Sequence, residues 1–119
     1  MFSNCSRLTS IVWNPVNCSD FSSASTIPFF GINNQITSFE FGDSVEYIPS
    51  YLCYGMSNLT SVEIHDSVTS IGKGAFARCS GLTSIIIPNS VNSIGKYAFE
   101  LCLGLTSVVW NAVNYPDFN

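Results

Sequence analysis

The residues in this chain best placed to do chemistry are two carboxylates, Glu40 and Glu63, which stand 23 residues apart in equivalent contexts. On neighbouring strands they lie about 5 Å apart, near the carboxylate separation used by retaining glycosidases. Their surroundings argue against that role. A glycosidase pair works across a cleft in which one acid is desolvated, whereas these two occupy an outward strand column whose next members are Ile86 and Val109. They read as solvated strand charges. Asp43, Asp66 and Asn89 form a parallel series that reads as turn formers, since calcium requires more oxygen ligands than one such column offers. The chain has a single histidine, His65, and five cysteines with no Cys-x-x-Cys pair, so zinc is not expected. No nucleophile, base and orienting group fall together. The chain is expected to be non-enzymatic, without cofactor or metal.

A repeat sets these spacings. Leu59-Thr60-Ser61, Leu82-Thr83-Ser84 and Leu105-Thr106-Ser107 recur every 23 residues, a period that marks stacked units rather than one globular core. The pattern widens to Leu82, Ile85, Ile87, Val91, Ile94, Gly95, Ala98, Phe99 and Cys102, matched by Leu59, Val62, Ile64, Val68, Ile71, Gly72, Ala75, Phe76 and Cys79. One period upstream Ile36, Phe39, Phe41, Val45, Ile48, Leu52 and Met56 hold the same slots, with Pro49 for the glycine and Cys53 for the phenylalanine. The preceding unit is longer, 28 residues, and its Trp13-Asn14-Pro15-Val16-Asn17 returns 97 residues later as Trp110-Asn111-Ala112-Val113-Asn114. The chain thus divides into units 8–35, 36–58, 59–81 and 82–104, with partial units 1–7 and 105–119, all in one domain. Both ends stop in mid-unit, as a piece of a longer protein does. Neither end resembles the polar cap that terminal coils require, which opens a route to self-association through the end coils.

Within a unit, Ile85 and Ile87 alternate with Ser84 and Ile86, the pattern of a half-buried strand over about 83–87. Pro88-Asn89-Ser90 reads as a turn, and Val91 to Ile94 as a second half-strand. Gly95 turns the chain again, and Phe99 and Cys102, three apart, suit one face of a short helical or 3-10 turn. One coil offers about eight inward apolar groups worth roughly 1.5 to 3 kcal/mol each. Ordering its backbone costs roughly 1 to 2 kcal/mol per residue. A lone coil therefore stays unfolded, and the fold expected is a repeat solenoid whose parallel strands stack like residues into columns.

The unit LTSIIIPNSVNSIGKYAFELCLG, Leu82 to Gly104, closely resembles the BspA-like leucine-rich repeat of bacterial surface proteins, and the Trp-Asn stretches resemble an accessory segment found among such repeats. The resemblance covers nearly the whole chain and rests on leucine-type spacing, the Ile-Gly turn and the Ala-Phe-x-x-Cys ending occurring together. It implies a non-catalytic leucine-rich repeat module of a large secreted or outer-surface protein of anaerobic mucosal bacteria. It further implies adhesion to host matrix proteins, host cells or neighbouring cells. It assigns no ligand residues. Departures at Pro49, Cys53, His65 and the 28-residue unit bear on curvature more than on chemistry.

Composition agrees with a surface repeat domain: charged residues are 10% of the chain and the net charge is −4. Four Lys and Arg cannot form the basic stripe that nucleic acid requires. No apolar run is long enough to span a membrane, and no signal peptide pattern is present. Cys5, Cys79 and Cys102 share a column with Met56, and Cys53 replaces a core phenylalanine, so these four read as small buried apolar groups. A Cys79–Cys102 disulfide is the alternative that ladder spacing permits.

Two surfaces are candidate binding sites. One is the outward strand face, with Ser38, Ser61 and Ser84 in one column and Glu40, Glu63 and Ile86 in the next. The other is a set of tyrosines, Tyr47, Tyr51, Tyr54 and Tyr97, at slots expected to point outward; packing over the 28-residue unit is the competing expectation for them. A structural spacer and a carbohydrate-binding module with the tyrosines as stacking platforms are the alternative functions.

Overall fold

Every unit opens with an inward Leu or Ile, two hydroxyl residues and an apolar alternation, and in each of them this segment becomes a strand. These strands are β1 (Ser10–Trp13), β2 (Ser38–Phe41), β4 (Ser61–Glu63), β6 (Ser84–Ile87) and β8 (Ser107–Trp110). Shorter strands follow the first turn: β3 (Tyr47–Ile48), β5 (Ser70–Ile71), β7 (Ser93–Ile94) and β9 (Asp117–Phe118). The structure, a computed structural model, describes residues 2, 4–15, 18, 20–21, 27–111 and 117–118. The partners Trp13-Asn14 and Trp110-Asn111 of the higher-order repeat fall inside this set, while 16–17 and 112–114 lie outside the described residues.

The coils stack as a parallel solenoid with the register that the 23-residue period demands. Ser38 pairs with Ser61 and Glu40 with Glu63, Ser70 with Ser93 and Ile71 with Ile94. β1 sits on β2 by the 28-residue offset, Ser10 against Ser38. The second-strand column runs unbroken as β3-β5-β7-β9, but the first divides into β1-β2-β4 and β6-β8. At the break Val62 and Ile64, inward by pattern, are only half-buried. The other two sides of the coils hold the stack together there.

The third side differs from the helical or 3-10 turn expected of it. It is a run of tight turns, Ala75 N–H to Gly72 C=O at 3.2 Å, Ala77 to Gly74 at 3.1 Å and Cys79 to Phe76 at 3.3 Å. The remaining N–H groups reach the next coil: Gly74 to Lys96 at 3.0 Å, Phe76 to Ala98 at 2.8 Å and Arg78 to Glu100 at 2.7 Å. A helix bonds its N–H groups internally; here alternate donors go to a neighbour, so helix cannot form. The alternation requires left-handed backbone at two columns. In one, Tyr51, Gly74 and Tyr97 have φ of 66°, 62° and 63°; in the other, Gly55, Arg78 and Leu101 have 73°, 63° and 58°. Among the described residues the one 3-10 helix is Asn33–Gln35, in the long unit.

Gly72 marks the corner between the second strand and this third side. A Cβ there would stand 2.5 Å from the Ser50 nitrogen and 2.8 Å from the Ile48 carbonyl oxygen, so only glycine lets the coils approach. Inside, the aromatic side chains run from coil to coil. Phe29 meets Phe39 edge-on at 5.9 Å, Phe41 meets Phe76 edge-on at 6.0 Å, and Phe76 stacks on Phe99 at 5.5 Å with 5° between the rings. Ile36, Leu52, Met56, Leu59 and Leu82 are fully buried beside them.

Candidate functional site

The strand face is built as the alternation predicts. Glu40, Ser61, Glu63, Ser84 and Ile86 are exposed and Ser38 is half-buried, its hydroxyl bonded to that of Ser10 at 2.9 Å. The flanking threonines tie coils together, Thr37 and Thr60 each donating to the preceding threonine carbonyl at 3.3 Å. Glu40 and Glu63 are ladder neighbours in open solvent, with neither of them enclosed. Ladder hydrogen bonds join β2 to β4 and β6 to β8 but do not join β4 to β6, so Ser84 and Ile86 sit on a separately bonded stretch of the same side.

The four tyrosines also divide. Tyr47 stands on β3 and is half-buried because its hydroxyl donates to Asp20 Oδ1 of the 28-residue unit. The Ser50 backbone N–H donates to the same oxygen at 2.8 Å. Tyr47 therefore packs on the long unit, as the competing expectation had it. Burial pushes the Asp20 carboxyl upward, but the Ser50 N–H and the hydroxyls of Tyr47 and Ser50 outweigh it and hold the group below its ordinary value. The Tyr47 phenol is pushed up, by burial first and by the Asp20 hydrogen bond second. Asp20 has a counterpart 97 residues on, Asp117, whose strand β9 pairs with β7. The long unit thus docks on the second-strand column at both ends of the described stack.

Tyr51, Tyr54 and Tyr97 lie on the turn side, with Tyr97 exposed and the other two half-buried. Tyr51 and Tyr54 meet edge-on at 6.1 Å, and the Tyr51 ring covers Gly74, where a Cβ would stand 2.8 Å from it. The Arg78 guanidinium lies 5.9 Å from the Tyr54 ring centre and the Lys96 ammonium 5.0 Å from that of Tyr97. Sequence reasoning passed over Arg78, Lys96 and Leu101. The signal lay in Gly74 and Gly55, which mark left-handed slots that the other coils fill with large side chains.

The cysteine expectation holds for the inner coils and fails at Cys5. Cys53 and Cys79 are fully buried, Cys102 is half-buried, and Cys5 is exposed, because no described coil covers its side of the column. Cys79 and Cys102 are separate thiols: Cys79 Sγ donates to the Cys53 carbonyl at 3.2 Å and Cys102 Sγ to the Phe76 carbonyl at 3.1 Å. Burial raises the Cys53 and Cys79 thiols well above their ordinary range. Among the described residues no three His, Cys, Asp or Glu gather as a metal would need, and no helix is long and apolar enough to cross a membrane.

Parallel in-register coils, a leucine-type inward column and a flat outward strand face define a leucine-rich repeat solenoid. More narrowly, the chain belongs to the BspA type leucine rich repeat region family, which it matches over residues 1–115 in 6 copies. Its fold is similar to the crystal structure of a leucine-rich repeat protein from Bacteroides ovatus, with a TM-score of 0.72 and 28% identity. It is similar as well to a leucine rich cell surface protein from Faecalibacterium prausnitzii, with a TM-score of 0.70 and 28% identity. Each likeness covers 97% of this chain but only 27% and 29% of the two relatives, so the chain spans under a third of their length. No curated protein matches it.

Proposed function

We propose that the chain is a non-catalytic, protein-binding segment of a cell-surface leucine-rich repeat protein, engaging host matrix proteins or the surfaces of host or neighbouring cells. The observation that carries this reading is the repeated presentation of exposed side chains in register along the stack of coils. Such surfaces suit extended recognition by several coils at once. Membership of the BspA type family and the likeness to a cell surface protein support the location. Immobilised matrix proteins and cultured epithelial cells, probed with the chain carried in a longer repeat array, provide the test. Saturable capture that is lost when outward residues are replaced is the expected result. Capture of none of them refutes adhesion, and full function after every outward Tyr and Glu is changed to Ser makes the chain a spacer. Binding on a glycan array that depends on the tyrosines assigns it to carbohydrate instead.

Self-association belongs to the same reading. Leu8, Ile11, Trp13 and Phe29 line an apolar hollow of about 530 Å³ on unit 8–35, while Leu103 and Val108, 80% and 50% exposed, lie towards the other end, on units 82–104 and 105–119. Sedimentation velocity of the 119-residue chain is expected to show concentration-dependent association, and a concentration-independent monomer contradicts it.

A further inference from the structure

The turn side of the coils carries most of the chain's positive charge and, in the left-handed slots that stacking imposes, large side chains where other coils have glycine. Lys73, Arg78 and Lys96, three of the four Lys and Arg in the chain, fall on turn segments 72–81 and 95–104. Glu100 is the one acid there, and the equivalent segment 49–58 has no charge. Of the other seven Asp and Glu, Asp20 lines the same hollow as Lys73 and Lys96 and the rest fall outside these segments, in a chain of net charge −4. A net positive strip therefore runs down an otherwise acidic solenoid, and all three cations are exposed.

The same strip holds all four non-glycine residues with positive φ among the described residues, Tyr51, Arg78, Tyr97 and Leu101. Gly74 and Gly55 occupy these columns in other coils. Glycine adopts the left-handed conformation freely, while a Tyr, Arg or Leu there is disfavoured. Tyr97 and Leu101 are 49% and 45% exposed, so burial does not compensate. Stacking fixes the backbone there but not the choice of Tyr, Arg and Leu over glycine, and that choice is what places large side chains on this surface. The members touch: Tyr51 meets Tyr54, Arg78 lies over Tyr54, and Lys96 over Tyr97. Beside Arg78 a hollow of about 360 Å³ is walled by Leu101 and Leu103.

We propose that the turn side of units 36–104 is the docking surface of this module, and that its partner is a protein segment rich in carboxylates with interleaved apolar side chains. The inference rests on the protein-binding reading above and names its face and partner chemistry. Lys73, Arg78 and Lys96 meet the carboxylates, the tyrosines supply stiff aromatic contact of the type that dominates interfaces, and the Leu101–Leu103 hollow receives an apolar side chain. The strand face, carrying Glu40 and Glu63, repels the same partner.

Fluorescence anisotropy of the 119-residue chain tests this with short fluorescein-labelled peptides that alternate Glu with Leu and Tyr, each beside a Gln-for-Glu counterpart. The Glu peptides are expected to bind roughly tenfold more tightly, and to weaken as salt rises and the screening length shortens. Joint Arg78→Glu and Lys96→Glu removes that preference, whereas joint Glu40→Lys and Glu63→Lys does not. Tyr97→Gly guards against misfolding, since it relieves strained backbone: its thermal midpoint is expected not to fall while its affinity does. Equal binding of Glu and Gln peptides, binding of neither, or sensitivity confined to the strand-face variant overturns the assignment. Capture of matrix proteins that survives Arg78→Glu and Lys96→Glu overturns only the turn face, whereas absence of any protein capture overturns the binding module itself.

Discussion

Phe76→Ala is the perturbation whose size the stack determines most closely. Phe76 is fully buried, meeting Phe41 edge-on at 6.0 Å on one side and lying flat on Phe99 at 5.5 Å on the other. A phenylalanine buries about 200 Å², which at about 25 cal/mol per Å² amounts to about 5 kcal/mol. That figure is an upper estimate because the unfolded chain is not fully extended, and measured Phe→Ala losses in cores run about 3 to 5 kcal/mol. Phe99 belongs to the same column but is half-buried, so Phe99→Ala is expected to cost about half as much, about 1.5 to 2.5 kcal/mol. Because coils couple only to their neighbours, the double variant should fall short of additivity by about 0.5 to 1.5 kcal/mol, the worth of an aromatic pair. Urea unfolding followed by far-UV circular dichroism, fitted with a shared slope, measures all three. A loss below about 1 kcal/mol for Phe76→Ala, or a Phe99→Ala loss as large as that of Phe76→Ala, refutes the in-register column.

Other expectations follow from single contacts. Gly72→Ala puts a methyl against the Ser50 nitrogen and Ile48 carbonyl and should cost about 1 to 3 kcal/mol by thermal unfolding; a neutral result contradicts the close corner. Cys5 should react with Ellman's reagent in the native protein at neutral pH, and Cys53 and Cys79 only on unfolding, because burial raises those thiols. Rapid native labelling of Cys53 is the contrary outcome. Asp20 is held below its ordinary value of 3.8, so the stability it contributes is present above that pH and is lost as pH falls through the lower folded value. The difference between the native chain and Asp20→Asn should accordingly shrink on acidification, and a difference that grows contradicts the Ser50 and Tyr47 contacts.

The period alone made much of this structure legible. Once Leu59, Leu82 and Leu105 are aligned, the pairing of Ser38 with Ser61 and Ile71 with Ile94 follows, as does the stack of Phe76 on Phe99, because in-register coils leave no other arrangement. The turn side was less legible. A three-residue spacing such as Phe99 to Cys102 fits a 3-10 turn and a run of separate turns equally well, and what decides is whether N–H groups bond inside the coil or to the next one. Single coils carry no sign of that choice, though the columns do: a slot holding Gly74 between Tyr51 and Tyr97 marks left-handed backbone. Cys5 shows the converse limit, since a core slot is buried only where another coil covers it. The Asp20 contact with Tyr47 was hidden because the long unit has just one partial copy, 105–119, against which to compare it. Nothing in the residues of β4 or β6 announces the break between them.

Coil stacking itself is tested most directly by solution NMR, through nuclear Overhauser contacts between residues one period apart. The account predicts contacts between the Phe76 and Phe99 rings, and backbone contacts of a parallel ladder joining Ser70 to Ser93 and Ile71 to Ile94. Contacts between β5 and β7 at any offset other than 23, or an antiparallel pattern between these two strands, would contradict it.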